Sequence, residues 1–324
     1  MGRSIDQDAR SWREGNGGII RRPMSRSSAG HPASVPLDAP RSPHSLREAR
    51  EFCARLAREH YENFPVASWL VPTRVRPAVQ EIYAFARVAD DFADEDVHEG
   101  RRLERLDEWQ GMLDDCFRGV AIHPVFVSLR AAVERFGLPR QPFVDLLAAF
   151  RMDVTRRRYP DEAALLAYCR LSANPVGRLL LCLFGLDAAQ HAPQSDAMCT
   201  ALQLANHWQD VAVDLAKDRI YLPADARQRW GVTEDDLRSR RVTDGFRSLM
   251  REQVGGARAR FAEGRPLCSA ARGRFGLELR LTWLGGQRIL DRIEAARCDV
   301  LTRRPKLGPW DALVVFQRAV LWAA

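Results

Sequence analysis

Apolar side chains along this chain recur every three to four residues, which is the spacing of one face of an α-helix. The first such run begins after Ser45, where Leu46, Ala49, Cys53 and Leu56 keep the helical period. Ser45 and a glutamate three residues later have the pattern of a helix capping box. Alternating apolar and polar positions, which would indicate β-strands, are nearly absent. The pattern predicts an all-α fold of about eight to eleven helices in one domain.

Proline and glycine interrupt this helical pattern, and each is expected to end a helix or turn the chain. The apolar run from Leu179 to Leu186 is too short to cross a bilayer and predicts a buried helix. The expected breaks lie at residues 64–65, 71–72, 137–139, 159–160, 185, 193, 221–223 and 304–305.

The first 44 residues differ in composition from the rest of the chain. They are rich in Ser, Arg, Gly and Pro and have no hydrophobic period. Such a segment buries too little apolar surface to offset the entropy lost on folding, so we expect residues 1–44 to be a disordered basic tail. It also lacks the apolar stretch of a signal peptide. Residues 45–324 are expected to form a single all-α domain.

Two clusters of aspartate lie about 120 residues apart, and each is expected on a helix. Asp90 and Asp94 in the first cluster, and Asp210 and Asp214 in the second, are four residues apart and therefore share a helix face. Asp91 lies beside the first pair. Hard cations such as Mg²⁺ take a few carboxylates and fill their other positions with water and phosphate oxygens. Two interpretations are open: solvated helix faces, or facing acid pairs that hold a diphosphate between metal ions.

The surroundings of the acid clusters favour a site. Residues 82–88 are too apolar for a face washed by solvent, and residues 202–209 precede the second cluster with a mixed pattern. Asn206 extends the stripe of the second acid pair by one turn, and Gln209 lies one turn from Asn206. Polar groups in line on an otherwise apolar helix usually line a site, because burying them unpaired is costly.

Tyr83 and Arg87 precede the first aspartates at a spacing of three to four residues, so one helix face presents a phenol, a guanidinium group and carboxylates. Arg87 either grips a phosphate through two hydrogen bonds or forms a structural ion pair on its own helix. Arg158, near the end of another helix, is a second candidate for a diphosphate. The alternative there is that Asp153 and Arg157 simply form a helical ion pair.

Three residues just after the second acid cluster are candidates for the same role. Lys217, Arg219 and Tyr221 lie where cations would neutralise a departing diphosphate. For Lys217 the alternative is a basic helix C-terminus that complements the helix dipole.

Residues 172–178 interrupt a long apolar helical stretch at a proline, which removes a helical hydrogen bond and kinks the chain. Asn174 is then either a polar group directed into a cavity or part of a plain packing kink. We favour the functional interpretation.

The net charge of +7 and the pI near 9.3 come mostly from scattered arginine. No Lys/Arg block and no aromatic–basic repeat indicates nucleic-acid binding. A mildly basic surface suits anionic lipid headgroups and phosphorylated substrates equally, so loose association with a membrane surface is an open expectation. The seven cysteines are odd in number and unclustered, which indicates neither zinc nor disulfides and favours a reducing cytoplasm.

Both acid motifs resemble those of the squalene and phytoene synthases. The first motif covers residues 82–94, and the second covers residues 206–214 and continues through residues 218–223. The resemblance runs from about Ser45 to the C-terminus and includes residues 304–305. Two well-spaced acidic motifs with matching surroundings make it specific. It implies an isoprenoid (terpenoid) synthase helical bundle with a central active-site cavity.

Within that family, residues 63–68 and 172–178 resemble the hopanoid-pathway branch, the hydroxysqualene synthases. Phytoene synthases usually carry Arg-Asp and Glu-Asp pairs in the second motif, whereas this chain has Gln209 and Val213 before the two aspartates. The hopanoid branch shares this departure.

The resemblance to the hopanoid branch also implies a reaction. The substrate would be presqualene diphosphate, which a sister enzyme makes from two farnesyl diphosphates. Mg²⁺ would draw off the diphosphate, and one water would trap the carbocation in an apolar cavity to give hydroxysqualene. No NADPH is expected. The implied metal ligands are Asp90, Asp91, Asp94, Asp210 and Asp214. The implied diphosphate ligands are Arg87, Arg158, Lys217, Arg219 and Tyr221. The other implied catalytic residues are Tyr83, Arg87, Asn174, Asn206 and Gln209.

Two alternatives stay open. The first is head-to-head condensation of two farnesyl diphosphates to presqualene diphosphate or squalene, and the substrate consumed without NADPH distinguishes it. The second is an inactive helical scaffold for hopanoid-pathway enzymes. A scaffold of that kind predicts broken acid clusters, and both clusters are intact.

Overall fold

A computed structural model describes residues 44–59 and 70–322 of the chain. Within these ranges the protein is helical, as predicted, and contains no strand. A single isolated β-bridge joins Arg158 and Ile220 in the described part. The predicted tail, apart from its last residue, lies outside the described ranges. So does the stretch 63–68, together with the break expected within it.

Eleven of the described helices have at least eleven residues, which is the upper end of the predicted number. They are α1 (Leu46–Glu59), α2 (Arg76–Asp94), α3 (Arg102–Phe117), α4 (Pro124–Phe136), α5 (Gln141–Thr155), α6 (Glu162–Ser172), α7 (Asn174–Phe184), α8 (Ala188–Gln209), α12 (Asp244–Gly264), α14 (Gly273–Ala295) and α15 (Pro309–Val320). Four shorter helices are α9 (Val211–Ala216), α10 (Ala224–Arg229), α11 (Glu234–Arg238) and α13 (Leu267–Ala270). Along the described ranges, no helix is both long and apolar enough to cross a membrane.

Local sequence signals set many of the helix ends. The Ser45 backbone N–H donates to a Glu48 carboxylate oxygen at 2.9 Å, and the Glu48 N–H donates to Ser45 Oγ at 3.3 Å, so the predicted capping box is present. Gly137 and Gly185 end α4 and α7 with φ of 62° and 69°. Glycine suits these left-handed positions because it has no Cβ.

The break predicted at Pro193 is wrong, because α8 continues through this proline. A proline inside a helix removes one backbone hydrogen bond. Here α8 packs against α7 on one side and against α12 and α14 on others. Tertiary packing of this kind outweighs local propensity, so one missing bond does not end the helix.

Two apolar cores hold the two acidic motifs. Around α2, buried rings such as Phe85, Trp109 and Phe126 pack together, with centroids 4.5 to 6.1 Å apart. Around α8, a second core joins α12 through buried residues such as Trp208 and Phe261. The first motif therefore lies at the C-terminal end of α2 in one core, and the second motif lies at the C-terminal end of α8 in the other.

At Gly264, the last residue of α12, the helix lies directly against the backbone of α8. A Cβ at this position would stand 2.8 Å from Met198 Cβ and 2.9 Å from the Met198 backbone nitrogen. Atoms of this kind do not approach so closely, so a larger residue would force the two helices apart.

We predict that Gly264→Ala lowers the free energy of unfolding by about 1–3 kcal/mol, because the methyl group overfills this contact. Gly255→Ala on the same helix is the control, since a Cβ there meets no atom within 4 Å. It should be neutral or stabilise by up to about 1 kcal/mol, because alanine favours helix more than glycine does. Urea unfolding followed by circular dichroism measures both variants. Equal effects would contradict the close contact of α8 and α12.

Candidate active site

Side chains that follow the second acidic motif bind an aspartate of the first. Lys217 Nζ lies 2.9 Å from Asp94 Oδ2, and Arg219 Nη1 donates to the same oxygen at 3.1 Å. Arg219 Nη2 also contacts Asp94 Oδ1. Burial acts to raise the pKa of Asp94, but the hydrogen bonds and charges of Arg219 and Lys217 hold it well below its usual range. The fold thus brings both motifs to one place.

Arg87 binds the other two aspartates of the first motif. Its Nη1 lies 3.2 Å from Asp90 Oδ2 and its Nη2 lies 2.5 Å from Asp91 Oδ1. The ion pair considered from the sequence is therefore present. Arg87 Nε is buried and has no hydrogen-bond partner among the described residues. This N–H is aimed at no acceptor of the described residues, so a bound anion would satisfy it.

The first acid cluster carries more negative charge than its basic partners offset. Burial raises the pKa of Asp91 to about 7; the charge of Arg87 opposes this shift, and those of Asp90, Glu95 and Asp94 add to it. A half-buried carboxyl group with several acidic neighbours favours a proton or a cation near neutral pH. Tyr83, one turn before Arg87, is half-buried against the apolar core around α2.

The sequence predicted that the second acid cluster lies on one continuous helix. In the structure it instead lies across the junction of two helices. Helix α8 ends at Gln209, and Asp210 takes φ −105° and ψ 14° before α9 begins. The Asp210 N–H still donates to the Asn206 carbonyl at 2.9 Å, and the Asp214 N–H donates to the Asp210 carbonyl at 2.8 Å. The stripe of Asn206, Asp210 and Asp214 is therefore approximately kept across a helix junction.

The C-terminal segment docks at this junction, which explains the change of backbone direction. Arg304 binds buried Asp210 through two contacts, Nε to Oδ1 at 2.5 Å and Nη2 to Oδ2 at 2.9 Å. Gln209 Nε2 donates to the Pro305 carbonyl at 2.5 Å. Bidentate arginine–carboxylate pairs are strong and directional. Arg304 was not among the candidates from the sequence, and its only signal was its place in the family resemblance.

A buried carboxyl group beside Arg219 was also missed as a site residue. Tyr168 Oη donates to Asp153 Oδ2 at 3.0 Å, and Arg219 Nη2 donates to the Asp153 backbone carbonyl at 3.4 Å. Burial raises the pKa of Asp153 to about 7, although Arg219 and Tyr168 oppose the shift. The helical pair considered for Asp153 and Arg157 is not formed, because Arg157 donates to the Lys217 carbonyl at 3.0 Å.

Aromatic rings form a wall next to these charges. The Tyr221 ring stacks on His207 with centroids 3.7 Å apart, and Tyr159 stacks on Tyr221 at 5.6 Å. Tyr168 lies tilted against both tyrosines. Tyr159 Oη is buried with no hydrogen-bond partner in the described part of the chain. Tyr221 therefore belongs to a stacked aromatic cluster beside the acid motifs.

Arg158 and Asn174 have other partners. Arg158 donates to both carboxylate oxygens of Glu234, at 2.9 and 3.1 Å, and to Asp218 Oδ1 at 2.7 Å. Asn174 is buried where α7 meets α8, and its Oδ1 accepts from Thr200 Oγ1 at 3.0 Å. The geometry favours structural ion pairing for Arg158 and the packing interpretation for Asn174.

An apolar cavity lies between α2, α7, α8, α13 and α14. Six of its lining residues are Val79, Val176, Leu181, Met198, Leu202 and Phe275. On α2 the cavity residue Val79 precedes Asp90 by eleven positions, and on α8 Leu202 precedes Asp210 by eight. At 1.5 Å per residue, the cavity lies about 12–17 Å along either helix from the acids. Both helices therefore connect a charged end to an apolar interior.

The cavity volume of about 140 Å³ is smaller than the roughly 300–1,000 Å³ of pockets that enclose whole small ligands. It suits one part of a long apolar chain rather than an entire one. The rest of such a chain would lie between the cavity and the acid motifs.

Comparisons with known proteins assign the chain to a family. The family model named squalene/phytoene synthase matches residues 57–311. The hydroxysqualene synthase of Rhodopseudomonas palustris is 36% identical over 256 residues, which cover 78% of this chain and 86% of that protein. The phytoene synthase of Arthrospira platensis is 30% identical over 296 residues, covering 87% of this chain and 96% of that protein. The chain therefore belongs to the squalene/phytoene synthase family, whose members act on prenyl diphosphates.

Solved structures agree with this assignment. The crystal structure of squalene synthase HpnC from Alicyclobacillus acidocaldarius matches with a TM-score of 0.74 and 44% identity, covering 78% of this chain and 95% of that chain. A dehydrosqualene synthase in complex with a ligand matches with a TM-score of 0.77 at 22% identity, covering 86% of this chain and 97% of that chain, and shows the common fold. The all-α isoprenoid-synthase fold that the resemblance implied is confirmed.

The raised pKa of Asp153 has a measurable effect on stability. The folded protein keeps this proton up to about pH 7, whereas the unfolded chain loses it above about pH 4, so rising pH destabilises the wild type. Asp153→Asn has no proton to lose in this pH range, so it removes the loss of stability, and its amide oxygen can still accept the hydrogen bond from Tyr168 Oη. Relative to the wild type, the variant should gain about 2–3 kcal/mol of unfolding free energy between about pH 5 and about pH 8. Urea unfolding at both pH values tests this, and a constant difference would contradict a raised pKa.

Proposed function

We propose that this protein is a Mg²⁺-dependent hydroxysqualene synthase, which converts presqualene diphosphate and water to hydroxysqualene and diphosphate in the hopanoid pathway. The observation that carries the proposal is the meeting of both acidic motifs at the charged end of two helices that also line an apolar cavity. A prenyl diphosphate has the same division into a charged head and an apolar chain. The 36% identity to a hydroxysqualene synthase supports the choice of reaction.

The donor set fits a diphosphate with Mg²⁺. Without them, Lys217 and Arg219 neutralise Asp94, and Arg304 neutralises Asp210. Lys217, Arg219, Arg304 and the buried Arg87 Nε would hold the diphosphate, and the carboxylates of Asp94 and Asp210 would hold Mg²⁺. Substrate binding would therefore exchange ion-pair partners rather than bury new unpaired charge.

Mg²⁺ would supply charge neutralisation for the departing diphosphate. Within the described ranges, no three His, Cys, Asp or Glu side chains are placed to enclose a metal ion. Mg²⁺ usually binds through one or two carboxylates, waters and substrate phosphates, so it requires no such cage. The proposed ligands remain Asp90, Asp91, Asp94, Asp210 and Asp214.

The residues that line the cavity would determine which nucleophiles can reach the carbocation. The cavity walls are predominantly apolar, so they exclude water and offer few nucleophiles. The stacked rings of Tyr159, Tyr168 and Tyr221 stand beside the charged end and form an aromatic wall there. A single admitted water would then decide the product. We propose that no NADPH takes part.

The second candidate is head-to-head condensation, since the chain is also 30% identical to a phytoene synthase over 87% of its length. The Gln209 and Val213 positions argue against it, because phytoene synthases usually carry charged residues there. The substrate consumed by the purified protein separates the two reactions.

We predict that activity requires a divalent cation and both acid clusters. Asp90→Asn and Asp210→Asn should each reduce kcat at least about a hundredfold, because each removes a carboxylate that balances the diphosphate charge. Asp107→Asn is the control, since Asp107 is exposed and pairs with Arg151 outside the site. Helical circular dichroism should stay near wild type. Full turnover in EDTA, or in both site variants, would contradict the metal-cluster proposal.

We predict that the product of presqualene diphosphate in H₂¹⁸O carries the heavy oxygen in a new hydroxyl group. The bound water is the nucleophile in the proposed reaction, so adding NADPH should change nothing. Mass spectrometry of the extracted product measures the label. An unlabelled hydrocarbon formed only with NADPH would instead identify a reductive squalene synthase, and consumption of farnesyl diphosphate alone would identify a condensing enzyme.

A further inference from the structure

Helix α15 is apolar on both of its sides. Its inner side is buried against α14 through Val315 and Ala319. Its outer side, with the residue just after it, holds six of the twelve exposed large apolar side chains of the described residues, so the exposed apolar surface is concentrated there. These six, with exposed fractions from 38% to 78%, are Trp310, Leu313, Val314, Phe316, Val320 and Leu321.

The acidic side chain of α15 is buried and ion-paired. Asp311 is its only acid, and it is fully buried. Arg288 Nε and Arg292 Nη2 contact its carboxylate at 2.7 and 2.8 Å, and the Gly308 N–H donates to it at 2.8 Å. The ion pairs fix the helix onto α14 and leave no negative group on the outer side.

Exposed cations flank the same side. Arg303 and Lys306 precede the helix, and Arg318 lies in its last turn. An apolar face with aromatic residues and neighbouring basic groups is complementary to a bilayer surface that contains anionic lipids. A polar protein partner would gain little from such a face, because it offers few hydrogen-bonding groups.

The end of α15 lies at the outer wall of the apolar cavity. Trp322 packs edge-on against Trp283 of α14, with ring centroids 5.4 Å apart. It also packs on the cluster that includes Leu181, Met198 and Phe275, and these three residues line the cavity. The segment just after α15 therefore packs on the cluster of residues that lines the cavity.

We propose that the outer face of α15 docks on the surface of an anionic lipid bilayer. Trp310 and Phe316 enter the region between headgroups and acyl chains, where aromatic side chains are favoured. Arg303, Lys306 and Arg318 contact the headgroups. The helix lies in the plane of the surface, and the wall of the cavity faces the lipid. This docking is independent of the reaction that the site performs.

Sedimentation of the full chain with lipid vesicles tests the proposal. Wild type should bind vesicles of phosphatidylcholine with about one third phosphatidylglycerol, and bind phosphatidylcholine alone more weakly. Trp310→Ser with Phe316→Ser should weaken binding at least about tenfold, because two large apolar side chains no longer leave water. Val120→Ser with Ile122→Ser is the control, since these residues are comparably exposed, at 55% and 47%, and lie away from α15. It should bind as wild type does.

A variant with reversed charges distinguishes the electrostatic contribution to vesicle binding from the apolar contribution. Lys306→Glu with Arg318→Glu should lower binding to the anionic vesicles at least about tenfold and leave binding to neutral vesicles almost unchanged. Circular dichroism of each variant checks that the helices are intact. Equal binding by all variants, or no binding by wild type, overturns the proposal.

Brominated lipids locate the contact, because bromine quenches tryptophan that enters the acyl region. Trp310→Phe keeps an aromatic anchor, so it should still bind but lose most of the quenching. If quenching is unchanged, another part of the chain touches the lipid and the proposal fails. A dimer in lipid-free solution that the Trp310 and Phe316 double variant dissociates would assign this face to a second copy of the chain instead.

Discussion

The structure depends on one constraint: the aspartates of the two acidic motifs lie close together, and their repulsion must be balanced for the fold to be stable. Aspartates that are to share cations must lie close together, and their mutual repulsion destabilises the fold when no cation is bound. Basic side chains from distant segments of the chain offset this repulsion by forming ion pairs with the aspartates. Asp94 is held by Lys217 and Arg219, and Asp210 is held by Arg304. The same bases are the groups that a diphosphate would attract under the proposed function, so one set of side chains would serve both the stability of the fold and the binding of substrate.

The division between the charged end and the apolar interior follows from two long helices. Helices α2 and α8 belong to different apolar cores, and each carries cavity residues first and acids at its C-terminal end. Because the helices are rigid, the distance between head and chain of a bound ligand is fixed by residue spacing. Under the proposed function, the number of turns between Leu202 and Asp210, or between Val79 and Asp90, would set the distance from the diphosphate to the part of the apolar chain in the cavity.

Local features of the sequence were enough to predict the helical fold, the capping box at Ser45 and the placement of the first acid cluster on a helix, because each depends on neighbours within about four residues. Predictions failed where distant residues decide. Helix α8 continues through the exposed Pro193 because α7, α12 and α14 pack against the helix as a whole. Helix α8 ends at Gln209, and the residue that binds the next position, Asp210, is Arg304, 94 positions away. No local pattern indicates that Tyr168 binds Asp153, since the burial that selects this pair exists only in the fold.

The bond between Asp210 and Arg304 also has a consequence for the order in which the protein is made. Arg304 is the ninety-fourth residue that the ribosome adds after Asp210. Until then α8, the helix on which α7, α12 and α14 assemble, ends in a carboxylate that lacks its final counter-charge. A buried charge without its partner is costly, so α8 gains its full stability only when Arg304 is available. We therefore expect docking of the C-terminal segment to be a late step of folding.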